Sequence, residues 1–247
     1  MFAKVVCVQL VNYLGYDLLF QDVDVVWYKN PLEYFHDTSN PHHDFDMYFQ
    51  DDGARSNRYA PYSANSGFYY VRNNEKTTYL LTSLLYHGDM IVQSSSHQQA
   101  LIQLLTNHAS LFGLRVKVLS RDMEEFPGGW HYHRRNKDFM KKIVKDEITP
   151  YIFHMSWTKN KDNKVKFFKQ MGQWYVDDKC ISKTRDSILT VDPTSEENGE
   201  NNAVSNHLII EPCCLAEPNI VCHYRDKPSI IPCTESDPID KGRPSFW

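Results

Sequence analysis

In Leu18-Leu19-Phe20-Gln21-Asp22-Val23-Asp24-Val25-Val26-Trp27 a hydrophobic run carries two aspartates one residue apart. Leu18 to Phe20 and Val25 to Trp27 are bulky, β-favouring residues. The apolar run is too short to span a membrane, so it reads as a buried strand over Tyr16 to Trp27. An ionised carboxylate at the end of such a strand is costly unless something positive meets it. Two carboxylates at x and x+2 cannot both point into a dry core. Both can reach a hard cation if the chain turns at the strand end. The segment therefore points to a divalent metal, with phosphate as its second partner. A strand that ends in an Asp-rich turn accounts for the same spacing.

Upstream, Lys4 to Leu14 is apolar on most faces and Gly15 supplies a stop, which predicts a mostly buried helix with Cys7 as a packed core thiol. Downstream, Asn30-Pro31 ends the first strand and Leu32 to Phe35 forms one turn. Phe45 to Gln50 reads as a second strand, ending at Asp51-Asp52-Gly53. Asn65 to Arg72 reads as a third. Asn73 to His87 is a helix capped by Asn73 or Asn74, with Tyr79, Leu80 and Leu84 on one side. After a Ser-rich loop, His97 to Asn107 is a second amphipathic helix. Leu114 to Leu119 alternates as a strand, and Phe126-Pro127-Gly128-Gly129 is a turn. Tyr151 to His154 is a last short strand, and Lys164 to Met171 a helix before Gly172. Strands alternating with helices predict an α/β fold with a mixed sheet flanked by helices.

The chain has 247 residues, enough for one domain with an extension. A hydrophobic content of 41% excludes a wholly disordered chain, and a net charge of −4 gives no nucleic-acid surface. The basic patch from Lys137 to Lys145 reads as a solvated helix face. No stretch approaches a membrane helix, and Phe2 to Gly15 lacks the marks of a signal peptide. Six cysteines are present, five of them (Cys180, Cys213, Cys214, Cys222 and Cys233) in the last third. There they sit in a Pro-rich segment where disulfides best restrain a chain with little core, which suggests an oxidising compartment. A zinc site is the lesser alternative, because no paired Cys-x-x-Cys knuckle is present. The expected organisation is a domain over 1–177, a polar linker over 178–210 with a flexible acidic stretch from Asp192 to Asn206, and a Cys/Pro-rich tail over 211–247.

Further residues bear on the metal. His154 follows Tyr151-Ile152-Phe153, and a neutral imidazole at a strand end can complete a carboxylate site. Asn65-Ser66-Gly67 puts a small turn before a strand, where backbone N–H groups and the Asn65 amide can hold a hydroxyl-rich ligand. Asp51-Asp52 ends another strand, where paired acids bind sugar hydroxyls or a base, or are simply exposed.

The ordered set Gly15 to Leu32 with its Asp-Val-Asp, then Asp51-Asp52, then Asn65-Ser-Gly-Phe-Tyr-Tyr-Val-Arg, resembles the nucleotide-diphospho-sugar transferase domain. This is the GT-A family that includes plant cell-wall xylosyl- and arabinosyltransferases. Phe153-His154-Met155-Ser156-Trp157 and Gly172-Gln173-Trp174 are similar to its closing elements. The resemblance implies a Golgi-type retaining glycosyltransferase that uses a nucleotide-sugar donor, a glycan or glycoprotein acceptor, and Mn²⁺ or Mg²⁺. Asp22 and Asp24 would hold the metal on the diphosphate, with His154 as third ligand. Asp51, Asp52, Asn65, Ser66 and Gly67 would line the sugar or acceptor side, and Trp157 and Trp174 would stack on a sugar or pack in the core. The family usually has an acid where His97 opens its helix, so no catalytic role is carried to that position, and no nucleophile is named. The GT-A fold also places its nucleotide-binding half before the Asp-x-Asp. That half is expected to be largely missing here, together with the membrane anchor of a type II protein of the Golgi lumen or secretory pathway.

Two rival readings follow from the same residues. In a haloacid-dehalogenase-like phosphatase, Asp22 would be the nucleophile and Asp24 the acid/base. Asp51-Asp52 comes too soon for that fold's later elements, and the Gly-Thr that commonly follows its motif is absent. The other rival is a non-catalytic lumenal or secreted remnant of a transferase domain.

Overall fold

A computed structural model of the chain describes residues 2–135, 137–158, 160–181, 189–191, 208–210, 213–219, 223–224 and 227–228. Contacts divide the chain into two compact units, one built on residues 1–164 and one on residues 165–240.

The first unit is organised by alternation in its two central strands. β3 (Met47–Asp51) and β4 (Ala64–Val71) are buried along their whole length. Successive side chains of a strand point to opposite faces. Met47, Phe49, Tyr69 and Val71 therefore enter one apolar cluster, and Tyr48, Phe68 and Tyr70 enter another. β4 pairs antiparallel with β1 (Leu18–Gln21) and with β3, and β3 pairs parallel with β5 (Val116–Leu119). The sheet is thus mixed, in the order β1-β4-β3-β5, as the alternating pattern predicts.

Helices cover the first face. α1 (Phe2–Tyr13) sets Val5, Val8 and Asn12 inward, the i, i+3, i+7 spacing of one helical face. It is half-exposed, not mostly buried, and Cys7 lies on the exposed side, so it is not a core thiol. The apolar outer residues misled the reading of the sequence, which took composition for burial. α3 (Glu75–Tyr86) starts with a capping box, in which the Asn74 side chain accepts from Thr77 N and Thr77 Oγ1 accepts from Asn74 N. α4 (Gly88–Ser94) occupies the stretch expected to be a Ser-rich loop. α5 (His97–Phe112) is capped by Ser96 and runs five residues beyond the expected Asn107. It ends at Gly113, whose φ of 65° is the left-handed turn that a side chain disfavours.

The second face packs against α2 (Pro31–His36), the loop carrying Phe126, and β6 (Ile152–His154). The single strand expected over Tyr16 to Trp27 is broken. β1 ends at Gln21, β2 (Val25–Trp27) begins after the three residues 22–24, and β2 pairs antiparallel with β6 outside the main sheet. The two aspartates occupy the turn between them. Two unpaired carboxylates on one strand face are costly to bury, and the chain leaves one sheet and joins another at that point. α6 (Lys137–Val144) buries Phe139, Met140 and Ile143.

α7 (Lys161–Gln170) begins in the first unit and continues into the second. The second unit also holds α8 (Asp178–Ile181), a β7–β8 pair (Leu189–Val191 with Leu208–Ile210) and a β9–β10 pair (His223–Tyr224 with Lys227–Pro228). A disulfide joins Cys180 to Cys213, whereas Cys214 is a free thiol. Cys222, Cys233 and the stretch Asp192 to Asn206 lie outside the described residues. Among the described residues no helix is long and apolar enough to cross a membrane.

Candidate metal and donor site

Backbone pairing brings the predicted ligands together before any side chain is considered. The β1–β4 ladder ends at Gln21 opposite Phe68 and is extended by a bond from Asp22 N to Gly67 O of 2.7 Å. The β2–β6 ladder sets Val25 opposite His154, and Met155 N donates to Asp24 O at 2.9 Å. Asp22 is thereby tied to one sheet, Asp24 to the other, and His154 to the junction. One ligand atom from each of Asp22, Asp24 and His154 lies within 4.8 Å of the others. Two ligand bonds of about 2.0–2.6 Å to one Mg²⁺ or Ca²⁺ span a comparable distance. A set of two carboxylate oxygens and one imidazole nitrogen can hold a divalent cation.

Charge at this centre is already partly matched. Lys4 of α1 pairs with Asp22, and Lys164 of α7 pairs with Asp24. Asp24 is buried, which alone would raise its pKa. Hydrogen bonding to His154 and Lys164 and their positive charge outweigh that penalty, and the carboxyl is held well below its usual range. Gly67 packs against the centre itself. A Cβ built there would stand 2.6 Å from His154 Cε1 and 2.9 Å from Asp22 Oδ2. Its backbone φ is not positive, so glycine is required by space and not by conformation.

The three ligands open into a cleft of about 480 Å³, also lined by Asp52, Asn65, Ser66, Gly67, Gln98, Trp157 and Lys164. Asp52 is its third carboxylate. Asn65 Nδ2 and Gln98 Nε2 donate to Asp52 Oδ1 at 2.8 and 3.3 Å, and Trp157 Nε1 donates to Oδ2 at 3.4 Å. These donors fill one oxygen and leave a lone pair on the other for a ligand hydroxyl. The Asn65 carbonyl in turn accepts from Gly67 N at 2.7 Å, and Gln98 Oε1 accepts from Ser66 N and Ser66 Oγ at 3.1 Å each. Asn65-Ser66-Gly67 is therefore a fixed shelf, with its amides tied into one network. Trp157 has a φ of 67°, a conformation rare for a bulky residue and one that turns the indole toward Asp52.

The structure thus gathers Asp22, Asp24, His154, Asp52, Asn65, Ser66, Gly67 and Trp157 around one cleft. Asp51 is not among the lining residues. Arg55 grips it in a bidentate pair at 2.8 and 2.7 Å, and Gly53 N and Arg121 N also donate to it. Burial would raise its pKa, but these partners lower it. Trp174 belongs to the second unit. The sequence reading missed Lys4, Lys164, Gln98 and Gln50. Lys164 and Gln98 had weak signals, as a basic residue near a helix start and an amide in a first helical turn. Gln50 had a clearer one, a polar residue at the end of a buried strand.

His97 also lines the cleft, at the first position of α5. Burial and the nearby Lys4 ammonium lower its pKa, and the neighbouring Asp22 offsets part of that shift.

Residues 1–168 match the family model described as nucleotide-diphospho-sugar transferase. Among curated proteins, the chain is 23% identical over 216 residues to a UDP-galactose:fucoside alpha-3-galactosyltransferase of Dictyostelium discoideum, covering 78% of this chain and 30% of that protein. It is 24% identical over 186 residues to a UDP-D-xylose:L-fucose alpha-1,3-D-xylosyltransferase of Arabidopsis thaliana, covering 68% of this chain and 45% of that protein. A beta-arabinofuranosyltransferase of Arabidopsis thaliana is 24% identical over 177 residues, covering 66% of this chain and 32% of that protein. The chain matches less than half the length of each of these relatives. No solved structure matches it.

Proposed function

The chain belongs to the nucleotide-diphospho-sugar transferase family, and we propose that its cleft binds a nucleoside-diphosphate sugar through a divalent cation held by Asp22, Asp24 and His154. The observation that carries this reading is the convergence of those three ligands from two separate sheets onto one point. A bound Mn²⁺ or Mg²⁺ would supply Lewis-acid charge to the diphosphate that leaves as the glycosidic bond breaks.

The remaining work falls to residues of the chain. Lys164 lies in the cleft beside Asp24 and would add positive charge where the leaving group develops negative charge. The free lone pair of Asp52 and the side chain of Ser66 accept or donate to sugar hydroxyls. The Asn65–Gln98 network keeps both groups in place, so no reorganisation accompanies reaction. Trp157 gives the sugar an apolar wall. In this reading Asp51 acts one step back, by holding the 51–63 loop through Arg55. No side chain in the cleft is assigned as a nucleophile, and transfer with retention of configuration would rest on positioning and leaving-group stabilisation.

The donor nucleotide is proposed to be UDP, since the galactosyl and xylosyl relatives carry it in their names, and the acceptor a glycan. The Cys180–Cys213 bridge fits folding in an oxidising compartment such as the Golgi lumen. The test is turnover. The chain is incubated with Mn²⁺ and UDP-galactose, UDP-xylose or a UDP-arabinose, with and without a fucoside acceptor, and UDP release is followed. Mn²⁺-dependent release that Asp24→Asn removes supports transferase chemistry. UDP release that persists unchanged in Asp24→Asn contradicts it.

A further inference from the structure

The imidazole of His154 meets one side chain on its far edge, and that contact determines which nitrogen can face a cation. Gln50 is 1% exposed and follows Tyr48 on the second face of β3. Its amide nitrogen donates to Phe126 O at 3.0 Å and Pro127 O at 2.9 Å. Both amide hydrogens are thereby used, so the orientation of the amide is not ambiguous. Its Oε1 is left as an acceptor only, 2.7 Å from His154 Nδ1. In the neutral ring the proton must then sit on Nδ1, and Nε2 carries the lone pair. Nε2 in turn lies 3.4 Å from Asp24 Oδ1. With no cation present that contact is one an Nε2–H would make to Asp24, and with the proton on Nδ1 alone positive charge must lie between Nε2 and Oδ1.

We propose that Gln50 is a positioning residue that locks His154 in the Nδ1–H tautomer and aims its Nε2 lone pair at the cation site shared with Asp22 and Asp24. The inference rests on the metal reading of that site and adds the residue that prepares one ligand. The turn over residues 126–129 is part of the same device. Pro127 O accepts both from Gln50 and from His154 N at 3.1 Å, so one carbonyl sets the height of both residues. The turn can approach this closely because Gly128 and Gly129 carry no side chains. A Cβ at Gly128 would stand 3.1 Å from Gln50 Nε2, and one at Gly129 would stand 1.9 Å from Ser156 O. A carboxylate at position 50 would keep the acceptor for Nδ1–H but would oppose the Phe126 and Pro127 carbonyls with no donor. This explains why an amide suits the position better than an acid.

Outer partners of metal-bound histidines typically govern metal affinity by about 10- to 100-fold. The experiment labels histidine with ¹⁵N and records long-range ¹H–¹⁵N spectra of the whole chain in mildly alkaline buffer, assigning His154 by comparison with His154→Ala. Mn²⁺ affinity is read separately from the free-ion EPR signal. Wild type should show Nδ1–H at His154. Gln50→Met should shift the ring toward Nε2–H and weaken Mn²⁺ about 10- to 100-fold, and in a His154→Ala background it should change Mn²⁺ affinity no further. Gln50→Glu, which keeps the acceptor but loses the amide donors, should keep the Nδ1–H signal and melt at a lower temperature, and should Gln50→Met fail to fold, the wild-type spectrum carries the test. An Nε2–H tautomer in wild type, or wild-type Mn²⁺ affinity in a folded Gln50→Met, overturns the proposal. An Nδ1–H spectrum in a chain that takes up no Mn²⁺ instead sinks the metal reading on which it stands.

Discussion

Replacing Gly67 by alanine places a methyl group inside the proposed cation site. The new Cβ would stand 2.6 Å from His154 Cε1, 2.9 Å from Asp22 Oδ2 and 3.0 Å from Asn65 Oδ1. Non-bonded carbons rest at about 3.5–4.0 Å, so the imidazole must retreat by roughly 1 Å. It has little room to do so, because Gln50 holds its other edge at 2.7 Å and the ring is buried. Metal sites tolerate errors of about ±0.2 Å in ligand distance, so a shift several times larger should uncouple His154 or Asp22 from a shared ion. Loss of one well-placed ligand should weaken Mn²⁺ by at least the ~10- to 100-fold seen for outer-shell changes. Overpacking of this size costs about 1–3 kcal/mol, and each kcal/mol lowers Tm by about 2–4 °C in a chain of this length. The assay pairs Mn²⁺ titration by EPR with thermal melting of the same sample. A folded Gly67→Ala chain that binds Mn²⁺ as tightly as wild type would refute the claim that Asp22 and His154 face one ion across Gly67.

Asp51 and Asp52 should separate cleanly despite being adjacent. Asp51 has a lowered pKa, so the stability it contributes is present above its ordinary value of 3.8 and is lost as pH falls through its folded value. Asp51→Asn should therefore flatten the loss of stability below about pH 4 in acid melts, while Asp52→Asn should weaken donor-sugar binding, as read by calorimetry. Lys164→Met should weaken UDP binding in the presence of Mn²⁺ while leaving the fold intact, as read by calorimetry and circular dichroism. Reduction of Cys180–Cys213, which closes a separation of 33 residues, should lower stability by about 3–4 kcal/mol on chain-entropy grounds and leave Mn²⁺ affinity unchanged.

Much of the site was legible because short-range pattern and long-range placement agreed. The Asp22-Val23-Asp24 spacing lets both carboxylates reach one cation if the chain turns there, and a turn is present, with Val23 fully exposed at its tip. His154 could be nominated because it ends a short apolar run, and Asn65 to Gly67 because small polar residues precede a buried strand. What the sequence could not show was the break itself. One run of β-favouring residues reads as one strand, yet β1 and β2 join different sheets, and only their partners β4 and β6 reveal it. Asp51 and Asp52 looked equivalent for the same reason. β3 turns one toward Arg55 and the other toward Asn65, and strand parity near a register shift between Phe49 and Asp51 cannot be read from one chain. The lysines were invisible as partners because Lys4 and Lys164 lie 18 and 140 residues from the aspartates they meet. Helix α1 was misjudged because apolar residues on its outer face carry no mark of exposure.

If the paired aspartates hold a cation that in turn holds a nucleoside diphosphate, calorimetric titration of UDP into the chain, with Mn²⁺ and again with EDTA, will show it. Binding is expected with Mn²⁺, none with EDTA, and none in Asp24→Ala under either condition. UDP binding of equal strength with and without Mn²⁺, or binding that survives Asp24→Ala, would contradict it.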